Sequence, residues 1–437
     1  MPIEMAELLQ FEALCDTVFS PSTPINRLSL FAGRPDQLRK LREAINTRGC
    51  HAIIYGDKGV GKTSLTRTVR DMFAKIETLQ IAHINCAKSD DFQNAWRKAL
   101  HELTIWIASD EDPEQPQQHT VDQYMVNYPT IGPGEIKHLL RWATGSQRFV
   151  IVFDEFNLLP EPERALFADT IKDLSDHSIE ATVVLVGVAS DTAHLIAEHS
   201  SITRCLRQIP MPLMKRPELT EIIDKALPKL GMTIEPAATR YITSLSQGLP
   251  NYTHLLGKES ALRAFRSNRR HITISDVLSS VDVALEQVDL TIRTAYHKAV
   301  TGLRVSELFP QVLLATALAN TDPLGWFRAT DVRDPLCRIT GQTYEIPGFK
   351  SNLDKLATAP ERGQILTMTG TKGKLQYRFS DPLLRPYIIL KRLEDPTLAQ
   401  MILNWLLEDD PAPEQTPENP PARREQQEQQ GGLFDGL

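Results

Sequence analysis

Apolar positions along the chain fall into two kinds of run. Short, nearly unbroken blocks at residues 51–55, 79–85, 149–153 and 182–188 are rich in Val, Ile and Phe, and their length predicts buried strands. Between them lie longer segments, 35–41, 64–73, 91–107 and 160–174, with apolar residues at three- and four-residue spacing, which predicts helices. Strands alternating with helices predict a parallel α/β sheet covered on both faces. Ahead of this body, Met5, Leu8, Phe11, Leu14, Cys15, Val18 and Phe19 fall near helical spacing, and Ser20, Pro21, Ser22, Thr23 and Pro24 break the pattern. Residues 109–119 are polar and acidic with two prolines, a surface insertion.

Past residue 212 the strand signals stop. Residues 217–300 read as helices punctuated by Gly231, Gly248 and Pro250. From Val305 two or three helices lead into alternating stretches at 365–369 and 375–379, joined by Gly370, Thr371, Lys372, Gly373 and Lys374, which predicts a hairpin. Helices followed by such a hairpin predict a winged helix. The domain plan is an N-terminal helix and linker (1–24), a nucleotide-binding α/β domain (25–213), a helical lid (214–300), a winged helix (301–394), and a helix end running into a disordered acidic tail rich in Pro and Gln (395–437).

One stretch carries the chemistry. Gly56, Asp57, Lys58, Gly59, Val60, Gly61, Lys62 and Thr63 fit G-x-x-x-x-G-K-[ST], directly after a predicted strand and directly before a helix that continues at Ser64. Glycines let backbone N–H groups close around a triphosphate, and the helix N-terminus adds partial positive charge. Lys62 reaches the β- and γ-phosphates and the Thr63 hydroxyl suits Mg²⁺, so the loop implies ATP or GTP. The buried run 149–153 ends in Asp154 and Glu155: a first carboxylate for the metal shell, a second as general base for the attacking water.

Composition excludes several classes. The 437 residues suffice for two or three domains; no run approaches a membrane span, and the N-terminus lacks a signal-peptide pattern, so the expectation is cytoplasmic with no membrane partner. Cys15, Cys50, Cys86, Cys205 and Cys337 are scattered without a C-x-x-C pair, as reduced thiols would be. The net charge of −7 sits almost wholly in residues 408–437, about −6, while 301–394 carry about +4. That permits DNA binding without requiring it.

The motifs together resemble the AAA+ ATPases of the initiator type, the origin-recognition and loader proteins and their bacterial relatives in transposition and mobile elements, over about residues 25–392. The resemblance implies ATP and Mg²⁺ as cofactors, and Arg34 and Ile25 near the adenine. It implies Ser190 as a polar sensor at the strand end, a position where serine equally caps the following helix. It implies an arginine finger before the fifth strand, Arg204 rather than Arg207, hence a homo-oligomeric ring or filament in which slow hydrolysis depends on assembly. One departure stands out: Gly248, Leu249 and Pro250 are followed by Asn251 and Tyr252, where relatives often place a second sensor arginine.

In the winged-helix candidate, Phe349, Leu353 and Leu356 form an inner face, and Lys350, Asn352 and Lys355 point outward with Lys372 and Lys374 at the wing tip, a surface for double-stranded DNA or for a client protein. Gln430, Leu433 and Phe434 in the tail resemble the short peptides that dock on the bacterial sliding clamp. His194 and Glu198 share metal-like spacing without a third ligand. The reading is an ATPase that assembles on DNA under nucleotide control and remodels DNA or a partner. The alternatives are a signalling or defence switch whose winged helix binds protein, and an ATP-binding scaffold without turnover.

Overall fold

The computed structural model describes residues 5–107, 117–128, 130–145, 147–188, 202–301, 308–371 and 373–408. Its centre is a five-stranded parallel sheet built from β1 (His51–Tyr55), β2 (Leu79–Asn85), β5 (Arg148–Asp154), β6 (Ala181–Gly187) and β7 (Leu206–Pro210), in the order β2-β5-β6-β1-β7. The apolar blocks become strands because both faces are covered. Ala52, Ile54, Val150, Val152, Val184 and Val186 pack to one side. Ile53, Phe149, Ile151, Phe153, Val183 and Leu185 pack to the other, where Trp96, Phe153 and Phe167 meet ring to ring. This is the P-loop NTPase sheet with helices on both faces, in accord with the AAA+ resemblance.

Two expectations need correcting. The helix expected over 91–107 ends at His101, and β3 (Thr104–Ile107) pairs antiparallel with β4 (Gln117–Thr120). Leu100 completes the helix's buried face and Leu103 is buried just past its end; Ile105, Trp106 and Ile107 then favour a pleated strand, which the Gln80 side chain starts by accepting the Thr104 N–H at 2.8 Å. Likewise Pro396–Glu408 is a helix in its own right rather than a helix end. Its Trp405 Nε1 donates to the Leu318 carbonyl (3.1 Å), and Arg216 donates to the Leu406 carbonyl (2.8 Å).

A helical lid follows the sheet, including Arg216–Ala226, Pro236–Leu245 and Pro250–Arg266, with the two-residue pair β8 (Thr233–Ile234) and β9 (His271–Ile272) at its rim. The N-terminal helix Met5–Val18 lies on Pro250–Arg266 through Phe11 stacked on Phe265, centroids 3.9 Å apart. Beyond the lid come Phe309–Leu318, a bridge from Phe327 to Tyr377, then Ala329–Thr340, Ile346–Thr358, and the hairpin of β10 (Leu366–Thr369) and β11 (Gln376–Phe379). Helix, short bridge, two helices and hairpin fit the winged-helix order. Phe349, Leu353 and Leu356 are fully buried in it, as their spacing implied.

Candidate nucleotide site

Register brings the site together. Tyr55 pairs with Gly187 on one side and Pro210 on the other, and Asn85 pairs with Asp154, so the loop after β1 and the acids ending β5 share the carboxyl edge of the sheet. There the chain must turn sharply. A Cβ on Gly56 would stand 2.4 Å from the Met211 carbonyl oxygen, so only glycine lets β1 leave the sheet beside β7. The helix Lys62–Met72 starts at the end of the loop.

Lys62 is buried, and its Nζ donates to the Gly56 carbonyl (3.0 Å) and the Asp57 carbonyl (2.7 Å). Burial lowers its pKa, while Glu155, Asp154 and Asp57 work the other way. Its ammonium therefore already sits in the loop where a phosphate would take over from the carbonyls. Asp154 is 2 % exposed; one oxygen accepts the Glu155 N–H at 2.8 Å, and the other lies 3.7 Å from His83 Nε2. Glu155 takes the left-handed conformation, φ 53°, and is exposed toward the cavity, so adjacent acids face different surroundings. His83, which sequence reasoning missed, also stands 3.4 Å from Thr66 Oγ1, and burial pulls its pKa down.

The cavity, about 230 Å³, has two ends. Lys58, Gly59, Val60, Gly61, Lys62, Thr63, Ser64 and Glu155 form the polar end. Leu30, Phe31, Ala32, Met214 and Ile222 supply an apolar end that suits a flat base, and Ile25 joins it while its N–H donates to Ser64 Oγ at 3.1 Å. Among the described residues no group of three or more His, Cys, Asp or Glu is gathered for a metal. Thr63 and Asp154 instead fit Mg²⁺ held mostly by phosphates and water.

Other candidates are placed differently. Arg34 is 2 % exposed, φ 61°, and its guanidinium donates to the Val60 carbonyl (3.2 Å) and to that of Pro212; its backbone N–H donates to Glu218 (3.1 Å). It borders the cavity while bracing the loop against the lid. Asp57 pairs with Arg378 of β11 (3.2 Å) and Lys58 with Asp381 (3.3 Å), and a Cβ on Gly59 would come within 3.0 Å of Leu383. Nothing in the sequence pattern signalled that the C-terminal hairpin meets the phosphate loop. Arg204 is exposed, pairs with Asp176, and precedes the amino end of β7, a strand's length of about 15 Å from its own phosphate loop. Lys350 is held by Asp354 at 2.6 Å and Asn352 is half-buried, whereas Lys355 and Lys374 are exposed. Ser190, His194, Glu198, Lys372 and the tail with Gln430, Leu433 and Phe434 lie outside the described residues. No described helix is long and apolar enough to cross a membrane.

No curated protein matches the chain. Among solved structures it is similar to Cdc6p from Pyrobaculum aerophilum, at 16% identity and TM-score 0.45 over 90% of this chain and 98% of that one. It is also similar to the Aeropyrum pernix Orc1 protein in complex with DNA, at 13% and 0.45 over 89% and 98%. The Thermotoga maritima RuvB Holliday junction branch migration motor is similar at 15% and 0.41 over 86% and 97%. The model of one family, Novel STAND NTPase 1, matches residues 25–274, more than half of the chain and all of the phosphate loop, acidic pair and lid helices described above. The chain belongs to the Novel STAND NTPase 1 family.

Proposed function

We propose that this NTPase is an ATP-dependent switch: it binds ATP with Mg²⁺, hydrolyses it slowly, and reports the nucleotide state through the contact between the phosphate loop and the C-terminal helix and hairpin module. The observation that carries this reading is the double ion pair, Asp57 with Arg378 and Lys58 with Asp381, made by two residues of the loop itself. Any shift of the loop as it closes on phosphates would act directly on those two pairs.

In this reading the loop amides and Lys62 bind the phosphates, Thr63 and Asp154 hold Mg²⁺, and Glu155 orients and deprotonates the attacking water. Mg²⁺, when bound, neutralises charge on the β- and γ-phosphates. Asp154 keeps one oxygen on the Glu155 N–H, which orients the Asp154 carboxylate. Arg204, exposed and far from its own site, would act on a neighbour's nucleotide in a homo-oligomer, with Ser190 as sensor. Lys62→Ala should abolish ATP binding, a loss of at least about 100-fold, whereas Glu155→Gln should bind ATP normally and slow phosphate release by about 100-fold. Equal hydrolysis in both variants would defeat these roles, and wild-type protein that binds ATP without releasing phosphate would make it a scaffold.

A second reading, assembly on double-stranded DNA, is favoured by the exposure of Lys355 and Lys374. If DNA is the partner, binding should weaken steeply with salt, and neutralising Lys355, Lys372 and Lys374 should lower affinity and flatten that dependence. Unchanged DNA affinity would leave a protein client as the partner.

A further inference from the structure

Residues 20–25 leave the N-terminal helix and cross the cavity from the lid to the phosphate-loop helix, and all six border it. On the lid side the Ser20 N–H donates to His254 Nδ1 (3.4 Å), and Asn251 Nδ2 donates to the Pro21 carbonyl. On the loop side the Ile25 N–H donates to Ser64 Oγ (3.1 Å) and the Leu28 N–H to Asp71 (2.7 Å). The preceding helix is fixed to the same lid helix by Asp16 with Lys258 and by Glu12 with Arg266 (2.8 Å). Pro21 and Pro24 stiffen the crossing and bring no N–H that would need a partner.

The two lid residues are one turn apart on Pro250–Arg266 and both border the cavity. His254 is 7 % exposed and packs edge-on to Phe19. Because its Nδ1 accepts from Ser20, its proton belongs on Nε2, and burial pushes its pKa down to about 4, which keeps the ring neutral. Asn251 is the second residue of that helix, just after Pro250, and its amide is spent on the backbone of the crossing segment.

We propose that Asn251 and His254 are positioning residues that hold residues 20–25 as a strap over the base and ribose end of the cavity, so that the lid grips nucleotide through this strap rather than through the phosphates. The inference rests on the nucleotide-site reading above. It means that strap contacts favour ATP and ADP alike and contribute nothing to an isolated phosphate chain.

The test is titration calorimetry on the full chain with ATP, ADP and inorganic tripolyphosphate, comparing wild type with Asn251→Ala and His254→Phe. Each variant should bind ATP and ADP about five- to tenfold more weakly, as loss of a hydrogen bond predicts, and bind tripolyphosphate as wild type does. The KM for ATP should rise by the same factor with kcat unmoved, and amide hydrogens at Ser20 and Ile25 should lose the protection that ADP gives them in wild type. Tripolyphosphate affinity that falls in parallel would mean a general weakening of the lid and would overturn the proposal. So would ATP and ADP affinities that stay at the wild-type value. A wild-type chain that binds no ATP would overturn the nucleotide-site reading itself, a different failure.

Discussion

The phosphate loop is held from two sides, and the two are built differently. From the sheet side it meets buried groups: Lys62 on the loop's own carbonyls, Arg34 on the Val60 carbonyl, and Met211 against Gly56. From the C-terminal side it meets two ion pairs, Arg378 with Asp57, mostly buried, and Lys58 with Asp381, more exposed, together with the Leu383 side chain beside Gly59. Removing a buried partner strands an unsatisfied polar group, whereas the more exposed pair on the other side, Lys58 with Asp381, exchanges its partner for water at little cost. One side is a bed of buried contacts and the other a cover held through ion pairs.

Acid should weaken the bed. His51 starts β1, is fully buried, and its Nδ1 accepts the Val183 N–H of β6 at 3.0 Å; burial pushes its pKa from 6.5 down to about 4. Between those values the unfolded chain binds a proton that the folded chain refuses. Stability from neutral His51 is thus fully present above pH 6.5, falls as the pH drops, and levels off below about 4, a loss on the order of 3 kcal/mol. Denaturant unfolding across pH 4–7 should show a slope to which His51, His254 and His83 all contribute, since burial lowers the pKa of each, and His51→Asn, which keeps an acceptor for Val183 but does not titrate, should reduce it by the share of His51. An unaltered slope in His51→Asn would mean that the sheet side is not where acid acts.

What the sequence made legible divides along the same line. The bed is written locally: eight consecutive residues give the loop, five apolar residues ending in two acids give Asp154 and Glu155, and the strand register then has no freedom, because a one-residue slip would turn a buried face outward. The cover was illegible. Arg378 alternates with Tyr377 and Phe379 as any outward hairpin residue would, and its partner lies 321 residues earlier. Nothing in the period of either segment encodes that pairing. The base end was partly legible: Pro21 and Pro24 announced a break, but that the break forms a strap depends on Asn251 and His254, which the apolar pattern of the lid does not single out. The strand at 104–107 was missed because Ile105 and Ile107 continue an apolar count that serves either element.

The cover should yield to milder treatment than the bed. Arg378 and Asp57 are mostly buried as a pair, with side chains 21% and 15% exposed, and the guanidinium also lies 4.9 Å from the Trp326 ring centroid. Arg378→Ala should therefore cost the docked state about 1–2 kcal/mol, since Asp57, whose pKa burial already raises, loses a cation that opposes that rise. Lys58 and Asp381 are 56% and 31% exposed, so Lys58→Ala should cost about 0.5 kcal/mol or less, and salt should remove most of it. Hydrogen exchange across 375–383 reads both effects without reference to ATP. Protection there should fall more in Arg378→Ala than in Lys58→Ala, and ADP release should quicken several-fold in the first and barely in the second. If both variants keep wild-type protection in the hairpin while ADP release is unchanged, the cover is as fixed as the bed, and a switch that works by lifting it loses its physical basis.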